Sequence, residues 1–321
     1  MKKTVLILGA KGRFGRNAAE TFARRGWQVR AFGRNWSEAT EALDARIEKV
    51  EGDGFSAASI KAAAEGMDVV IHAMNAPYHK WSTDQKAMND AVIEAMTGTG
   101  KTVFIPGNVY NFGTEMPPLL EGETPHAAKT RKGQFRTAME RSFRDAKGFR
   151  TVVLRGGDFI DTVQTGNWFD GQMIKDIAKG TFMYPGNRRI KHAWAFLPDM
   201  ARAMVELAEK ANELSAFEDI GFAGYGLTGE ELHAGLERVM GRTLKVSGMP
   251  WPLFQVLGLV QPMMREILEM RYLWETPHEL DGSRLKALLP DFEPTKLDDA
   301  LAQSLRAVMT EDFVVSTLQT A

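Results

Sequence analysis

The stretch TVLILGAKGRFGRNAAETFARRGWQVRAFGRN, Thr4 to Asn35, decides the fold of this chain. A short apolar run predicts a buried strand, and Gly9, Gly12 and Gly15 follow it in a GxxGxxG pattern before a helix and a second strand. Glycines at this spacing let the backbone turn tightly and approach a pyrophosphate, whose negative charge is favoured by the N–H groups of a helix N-terminus. The stretch therefore predicts a βαβ unit that binds a dinucleotide.

The end of the second predicted strand indicates which dinucleotide is bound. NAD sites usually place an acidic residue there, about 20 residues after the glycines. This chain has Arg34 instead, and the next acidic residue is Glu38. A guanidinium suits a ribose 2′-phosphate because it can donate two parallel hydrogen bonds, so we expect NADP as cofactor and NAD only as the weaker alternative. The cofactor residues predicted in this unit are Gly9, Lys11, Gly12, Arg13, Phe14, Gly15 and Arg34.

Strand and helix patterns alternate through the first half of the chain. Six runs rich in Val, Ile, Leu and Phe show little polar alternation, as expected of strands buried on both faces. This repetition predicts an α/β fold with a Rossmann-type, doubly wound parallel sheet. We predict an NAD(P)-binding Rossmann domain over 1–156 and a smaller, mostly helical substrate domain over 157–321, with 198–222 returning to the Rossmann domain. The predicted strands are Thr4–Leu8, Gln28–Phe32, Arg46–Val50, Asp68–Ala73, Lys101–Pro106 and Thr151–Arg155, and the predicted helices are Phe14–Arg25, Ser56–Ala64, Thr83–Met96 and Arg131–Asp145.

Composition limits the classes of function. The 321 residues carry a formal net charge of −1, which argues against a nucleic-acid-binding protein. They include no cysteine, which excludes disulfides, thiolate metal sites and a cysteine nucleophile. No apolar run reaches the roughly 18 to 20 residues that span a bilayer, and the six histidines show no close paired spacing. We therefore expect a cytoplasmic protein without a metal site, whose partner is a small molecule.

Five segments resemble, in order and spacing, a known group of proteins. They read GAKGRFG, VEGDGFSAASIKAAAEGMDVVIHAMN, KTVFIPGNVYNFG, TVVLRGGDFI and HAWAFLPDMARAMVELAE, and they resemble the extended short-chain dehydrogenases/reductases, the NAD(P)-dependent epimerase/dehydratase family. The resemblance covers residues 4–209, with a weaker match near the C-terminus. It implies a Rossmann domain followed by a small substrate domain. Residues that it assigns to the cofactor site are Asp53 and Gly54 beside the adenine, and Ala73, Met74 and Asn75 beside the ribose and pyrophosphate.

The catalytic positions depart from that family. Its redox members carry a Ser or Thr and then Tyr-x-x-x-Lys, in which the tyrosine transfers a proton and the lysine holds the nicotinamide ribose. This chain has Asn108 at the serine position and Lys132 and Arg136 at the other two, and none of its five tyrosines precedes a lysine at that spacing. Lys132 and Arg136 share a helix face. Two alternatives stay open: a solvated basic face, or Arg136 on the ribose with Lys132 at the reacting centre. Tyr110, just after the fifth predicted strand, is the rival acid.

Residues after Gly156 supply the substrate candidates. Asp158 stands where the family often has an asparagine near the nicotinamide, and Arg189 and His192 belong to a basic cluster near the phosphate-binding position of nucleotide-sugar enzymes. They favour an anionic or sugar-like substrate, with a solvated loop as the alternative. The apolar stretch Met249–Met264 is expected to cover the pocket; formation of a homodimer and contact with a membrane surface are the alternatives.

Two functions stay open on the sequence. The first is an NADP-dependent oxidoreductase, epimerase or dehydratase with an atypical active site. The second is a redox sensor that binds NADP(H) without turnover, as the NmrA-like members of the superfamily do. The missing tyrosine favours the sensor, whereas a C-terminal half large enough to enclose a pocket favours the enzyme.

Overall fold

The computed structural model of the chain describes residues 3–36 and 43–309. Within them the backbone forms strands and helices that are joined by short 3₁₀ and π-helical turns. In chain order they are β1 (Thr4–Leu8), α1 (Arg13–Arg24), β2 (Gln28–Gly33), β3 (Glu48–Glu51), α2 (Ala57–Ala63), β4 (Val69–His72), α3 (Lys86–Met96), β5 (Thr102–Gly107), β6 (Leu119–Leu120), α4 (Arg131–Asp145), β7 (Arg150–Arg155), β8 (Asp158–Ile160), β9 (Thr181–Tyr184), β10 (Lys191–Phe196), α5 (Leu197–Glu209), β11 (Phe217–Gly221), β12 (Tyr225–Thr228), α6 (Gly229–Met240), β13 (Lys245–Gly248), α7 (Trp251–Leu257), α8 (Pro262–Glu269), β14 (Glu279–Leu280), α9 (Ser283–Leu288) and α10 (Leu297–Arg306).

Seven parallel strands form the central sheet, in the order β11–β7–β5–β4–β1–β2–β3. β1 pairs with β2 on one side and with β4 on the other, so the order of the strands reverses at β1. In such sheets ligands bind in the crevice outside the carboxyl ends of the strands at this reversal. The structure confirms the predicted Rossmann-type α/β class.

Burial on both faces explains why these apolar runs form the sheet. Val5, Leu6, Ile7 and Leu8 of β1 are completely inaccessible to solvent. Val5 and Ile7 pack in the layer of α1 and α5, whereas Leu6 and Leu8 pack in the layer of α2, α3 and α4. Successive strand residues point to opposite faces, so an uninterrupted apolar run is what a sheet covered by helices on both sides requires.

Residues 157–309 leave the central sheet and partly return to it. β8, β10 and β12 form a three-stranded sheet, and β9 pairs with β13. With α6 and α10 they surround a second core that contains Phe182, Trp194 and Leu236. Residues 197–221 lie with the central sheet, because α5 packs on α1 and β11 pairs with β7. β14 pairs with β6, which joins the C-terminal part to the first half of the chain.

The apolar stretch 249–264 forms α7, the turn after it and the start of α8. Phe254 and Met263 line a large cavity, so the stretch covers the pocket as expected. Its outer side stays apolar, and Leu259 and Val260 at the turn are the most exposed large hydrophobic residues of the described chain, at 81% and 76%. No helix within the described ranges combines the length and the apolar character that a membrane crossing needs.

Candidate cofactor and substrate site

The glycine turn lies at the carboxyl end of β1, where close packing leaves no room for side chains. Gly9 has a φ of 82°, and a Cβ on it would lie 2.7 Å from backbone at the end of β4. A Cβ on Gly15 would lie 2.2 Å from the Gly9 carbonyl oxygen, so α1 can pack against the turn only with glycine there. Gly12 caps α1 without a side-chain hydrogen bond, and Gly12, Arg13 and Phe14 line the cavity. The first turn of α1 therefore offers backbone N–H groups to a phosphate.

Lys11 and Arg34 lie at the end expected to hold the adenosine. Lys11 Nζ donates to the carbonyl oxygens of Arg34 (3.2 Å) and Asn35 (3.1 Å), and thereby closes the loop after β2. Arg34 is exposed, lines the cavity and lies 6.0 Å from the centre of the Phe55 ring. Glu51 accepts a hydrogen bond from the Asn35 N–H (3.2 Å) but does not line the cavity. At this end the cavity is therefore lined by the guanidinium of Arg34 and not by the carboxylate of Glu51.

The loop after β4 is held by a buried polar network that the predicted elements alone do not reveal. His72 donates from Nε2 to Asn89 Oδ1 (2.8 Å), which also accepts from Gln85 Nε2 (3.0 Å). The Gln85 amide also bonds the Met74 carbonyl oxygen (3.1 Å) and the Ala76 N–H (2.7 Å). Burial lowers the pKa of His72 to about 4, so its ring is neutral near pH 7. The available sequence signal was the spacing of Gln85 and Asn89, which places both amides on one helix face.

The residues predicted from the resemblance to flank the cofactor do not all reach the cavity. Ala73, Met74 and Asn75 line it after β4. Gly54 also lines it, and a Cβ there would lie 2.7 Å from the Met74 sulfur. Asp53 does not line it, because its Oδ1 accepts from the backbone N–H two residues later (3.1 Å) and so closes its own loop.

Arg136 is on α4, and its side chain reaches the carboxyl end of β5. This position suits the predicted role of binding the ribose. Its Nη2 donates to the Pro106 carbonyl oxygen (3.1 Å) and to Glu140 Oε1 (3.2 Å). The side chain lines the cavity, and its Nε is buried without a partner among the residues that the structure describes. A buried donor that lacks a partner costs about 1–3 kcal/mol, so a ligand hydroxyl that accepts from Nε would remove this cost.

A buried ion network beneath the cavity holds Arg136 and the loop of Asn108. Arg155 is 2% exposed, pairs with Glu140 (2.8 Å) and Asp219 (2.6 Å), and donates to the Asn108 carbonyl oxygen. Burial acts to raise the pKa of Glu140, but the guanidinium groups of Arg155 and Arg136 outweigh it and hold that pKa below its ordinary value. The two guanidiniums balance the two carboxylates, so the network adds no net charge to the interior.

His126 joins this network in a cluster that has the composition of a metal site. Ligand atoms of His126, Glu140 and Asp219 lie within 4.8 Å of one another. Arg155 already pairs with both carboxylates, and a cation bound there would meet its guanidinium at close range. The cluster therefore suits an internal ion network better than a metal, and the absence of a metal site stays a prediction.

The sequence predicts that Lys132 points at the reacting centre; in the structure its Nζ lies 5.2 Å from the centre of the ring of Tyr78, a residue that lines the cavity. The Lys132 side chain is 3% exposed, and its Nζ pairs with Glu266 and, at 2.7 Å, with Glu269. Lys132 is not among the residues that line the cavity. Both of its ion-pair partners belong to α8. Lys132 therefore fastens α8 to α4.

Two hydrogen-bonded tyrosines line the cavity. The hydroxyl oxygens of Tyr110 and Tyr78 lie 3.0 Å apart, and both residues line the cavity. Burial raises the pKa of Tyr110 well above its ordinary value, and the nearby Tyr78 and Asp158 act in the same direction. Burial also raises the pKa of Tyr78. Asn108 lines the cavity, and its Oδ1 accepts from the Tyr110 N–H (3.1 Å), which orders the loop. Because one tyrosine hydroxyl donates to the other, the pair has one further O–H that can donate to a ligand oxygen.

The three predicted substrate residues occupy different places. Asp158 lines the cavity, and its Oδ2 accepts from His192 Nε2 (2.8 Å). His192 is 1% exposed and stacks on Trp274 with ring centres 4.2 Å apart, so it positions Asp158 from behind. The Arg189 side chain is 86% exposed, its Nε lies 3.7 Å from Glu230 Oε1, and it does not line the cavity. Arg189 is therefore not placed to bind an anion inside it.

One cavity connects these groups. Its volume is about 1240 Å³, above the range of about 300–1,000 Å³ that is usual for a small-molecule pocket. One end is formed by the glycine turn and by the ends of β2 and β4. The other end is lined by side chains of the second half of the chain, such as Trp168, Phe254, Ile267 and Leu273. The volume leaves room for a dinucleotide and a second ligand.

Comparison with known proteins agrees with this arrangement. A model of the NmrA-like family matches residues 1–311. The chain belongs to the NmrA-like family. A search of the curated proteins finds no match.

Solved structures similar to this NmrA-like chain include three epimerases. The UDP-glucose 4-epimerase from Bifidobacterium longum, in complex with NAD+ and UDP, is 15% identical with a TM-score of 0.71, over 97% of this chain and 100% of that chain. The UDP-Glc/GlcNAc 4-epimerase from Campylobacter jejuni is 16% identical with a TM-score of 0.68, over 98% and 99%. The UDP-glucose 4-epimerase from Brucella ovis, in complex with NAD, is 17% identical with a TM-score of 0.69, over 96% and 99%. The resemblance to the extended short-chain dehydrogenases/reductases is thereby confirmed at the level of the fold.

Proposed function

We propose that this NmrA-like chain is an NADP(H)-dependent oxidoreductase that acts on a carbonyl or alcohol group of a small molecule. The observation that carries the proposal is the single cavity in which the glycine turn, Arg136, Tyr110 and Asp158 meet. The cavity volume of about 1240 Å³ exceeds the range of about 300–1,000 Å³ that is usual for one small-molecule site, which favours a second ligand beside the nicotinamide. When bound, the cofactor supplies or accepts a hydride.

The preference for NADP(H) over NAD(H) rests on Arg34. Its exposed guanidinium lines the adenosine end, whereas the nearby Glu51 carboxylate is engaged by backbone and lies outside the cavity. Charge-assisted hydrogen bonds to a 2′-phosphate are worth about 1.5 to 3 kcal/mol, which corresponds to a preference of roughly ten- to hundredfold. A carboxylate at this place would have favoured the ribose 2′-hydroxyl of NAD.

Calorimetry at one ionic strength tests this preference. Wild-type protein should bind NADP(H) more tightly than NAD(H), and Arg34→Ala should remove most of the difference while leaving the NAD(H) dissociation constant nearly unchanged. Arg24→Ala is the matched control, because Arg24 is an exposed arginine of α1 that does not line the cavity. Equal affinity of the wild type for both cofactors would contradict the proposal.

The residues around the nicotinamide end have distinct roles in the proposed reduction. Arg136, whose Nε is buried without a partner among the described residues, would hold the nicotinamide ribose by donating to one of its hydroxyls. The Tyr110 hydroxyl donates to the carbonyl oxygen of the substrate, where negative charge develops as the carbonyl carbon accepts the hydride. Because burial raises the pKa of Tyr110 well above its ordinary value, the hydroxyl is suited to donate a proton, which favours reduction over oxidation. Asp158 accepts a hydrogen bond from His192 and lines the cavity. Its carboxylate is available to accept from a polar substituent of the substrate or from a water molecule.

Steady-state kinetics with Tyr110→Phe tests the role of the hydroxyl. Loss of a proton donor should lower kcat/KM for reduction by about 10²-fold or more, while the NADPH dissociation constant stays within twofold of the wild type. Tyr184→Phe is the control, since Tyr184 is buried in the second core and does not line the cavity. Unchanged kcat/KM in Tyr110→Phe would remove Tyr110 from the mechanism.

A redox sensor is the second candidate function, and the position of Lys132 favours it. The lysine that stands where the family carries its tyrosine is bound to Glu266 and Glu269, so the usual tyrosine–lysine pair has no equivalent here. A sensor should bind NADPH and NADP+ with different affinity and oxidise no NADPH across a panel of carbonyl compounds, alcohols and sugar nucleotides. Sustained NADPH consumption with any of these compounds would exclude it.

A further inference from the structure

The charged side chains of the cavity come from the first half of the chain. Four of them are permanently cationic, and one, Arg13, contacts the second half, where its Nε donates to the Thr165 carbonyl oxygen (3.0 Å). Among the described residues that line the cavity after Asp158, none is charged. The cations of the cavity are Lys11, Arg13, Arg34 and Arg136.

The side of the cavity formed by α7, α8 and the turn after α8 is apolar. It contributes Phe254, Met263, Ile267 and Leu273, and Trp168 also lines the cavity, with its ring centre 6.4 Å from that of Trp251 on α7. Methionine and aromatic side chains of this kind adapt to irregular apolar ligands. A diphosphate placed among the α7 and α8 side chains would lose its hydration without gaining a cation from them, at a cost of several kcal/mol per charge. The Asp158 carboxylate of the same cavity would add repulsion.

Met263 connects the apolar side of the cavity with the protein surface. Met263 lines the cavity and is also 40% exposed. It adjoins Leu259 and Val260, which are exposed on the outer side of the same segment. A hydrocarbon group that lies against α7 and α8 thus meets apolar side chains as far as Met263, whereas the polar lining of the second half is limited to Asn167 and Gln172 beside Trp168.

From this distribution we infer that the second ligand is a neutral, elongated apolar molecule with a single carbonyl or hydroxyl group, and not a nucleotide sugar. The inference rests on the proposed oxidoreductase function and names its substrate class. The oxygen lies at Tyr110 and the hydrocarbon part lies among the α7 and α8 side chains. In the reduction, the carbonyl carbon gains a hydride from NADPH as the C=O π bond opens. The electron pair passes to oxygen, which takes a proton from Tyr110, and Tyr110 regains a proton from water. The products are the alcohol and NADP+.

A homologous series of 2-alkanones, from 2-hexanone to 2-decanone, tests the inference. Binding is measured by calorimetry on protein saturated with NADP+, so that no turnover occurs, and NADPH consumption is followed separately. The dissociation constant should fall about fourfold for each added methylene until the chain reaches Met263, and UDP-glucose should neither bind nor displace 2-decanone. Chain-length-dependent binding without NADPH consumption supports the ligand class while rejecting the oxidoreductase function. Binding of UDP-glucose without binding of 2-decanone, or affinity independent of chain length, overturns the inference.

Matched variants locate the binding surface. Ile267→Gln places an amide on the apolar side of the cavity and should weaken 2-decanone binding about tenfold. Leu253→Gln changes an exposed residue of α7 that does not line the cavity and should leave binding unchanged. If Ile267→Gln fails to fold, Met263→Gln serves in its place, since a partly exposed position tolerates the amide. Equal affinity in the cavity variant and in Leu253→Gln overturns the placement of the hydrocarbon part.

Discussion

Replacement of Lys132 by methionine should destabilise the protein without acting on the chemistry. The ammonium is 3% exposed and pairs with Glu266 and Glu269, whose side chains are 10% and 17% exposed. Removing one partner of a buried pair costs about 3–5 kcal/mol, because a charge is left buried without compensation. Glu269 keeps some access to water, so we expect a loss near the lower end, about 3 kcal/mol, and a fall in Tm of roughly 5 to 10 °C.

Two variants distinguish this explanation from a catalytic one. Lys132→Met combined with Glu266→Gln and Glu269→Gln removes all three charges and should recover most of the lost free energy of unfolding in urea titrations. Lys129→Met is the control, because Lys129 pairs with Glu115 on the surface with both side chains more than two-thirds exposed, and such pairs are worth about 0–1 kcal/mol. A Lys132→Met protein that unfolds like the wild type but has lost turnover would refute the reasoning and return Lys132 to the reacting centre.

Three further outcomes follow from the packing and the charges. Gly15→Val should abolish NADPH binding in calorimetry and lower the Tm, because its Cβ would lie 2.2 Å from a backbone oxygen, whereas Gly248→Ala, at a position with open space, should do neither. Arg155→Met leaves Glu140 and Asp219 buried without their cation, and thermal melts should show a loss of about 3–5 kcal/mol. Because the folded-state pKa of His72 is lowered to about 4, the unfolded chain takes up its proton first as the pH falls from about 6.5. Stability should therefore decrease between about pH 6.5 and 4, by up to about 3 kcal/mol from this group, and His72→Asn should flatten that part of a denaturation-against-pH series.

Local patterns were sufficient for the first half of the fold. β1 and α4 have the predicted bounds, since an apolar run of five residues and a helix capped by Thr130 are defined by neighbouring residues. The helix predicted from Thr83 begins instead with a π-helical turn, Trp81–Gln85, and becomes regular only at Lys86. Gln85 bonds the backbone after β4 from this turn, and that partner is not visible in the helical pattern.

Roles in the candidate site depended on partners far away in the sequence. Lys132 and Arg136 lie one turn apart on α4, and the sequence pattern does not distinguish them. In the structure Lys132 pairs with Glu266, 134 residues later. Arg136 pairs with Glu140 on its own helix. Whether a lysine is a base, a cofactor ligand or a structural ion is set by such contacts, because they determine its charge state and its access to the cavity. Periodicity and spacing carry no information about them.

The position of β11 at the edge of the central sheet has a consequence for synthesis on the ribosome. When the chain has been made as far as Arg155, β7 is complete but its outer neighbour is not, and neither is Asp219, the second carboxylate that neutralises Arg155. About 66 further residues must follow, which takes on the order of 3 to 13 seconds at roughly 5–20 residues per second. Throughout that interval the nascent chain presents an unpaired strand edge and an incompletely neutralised interior cation, both of which invite association with other chains or with chaperones.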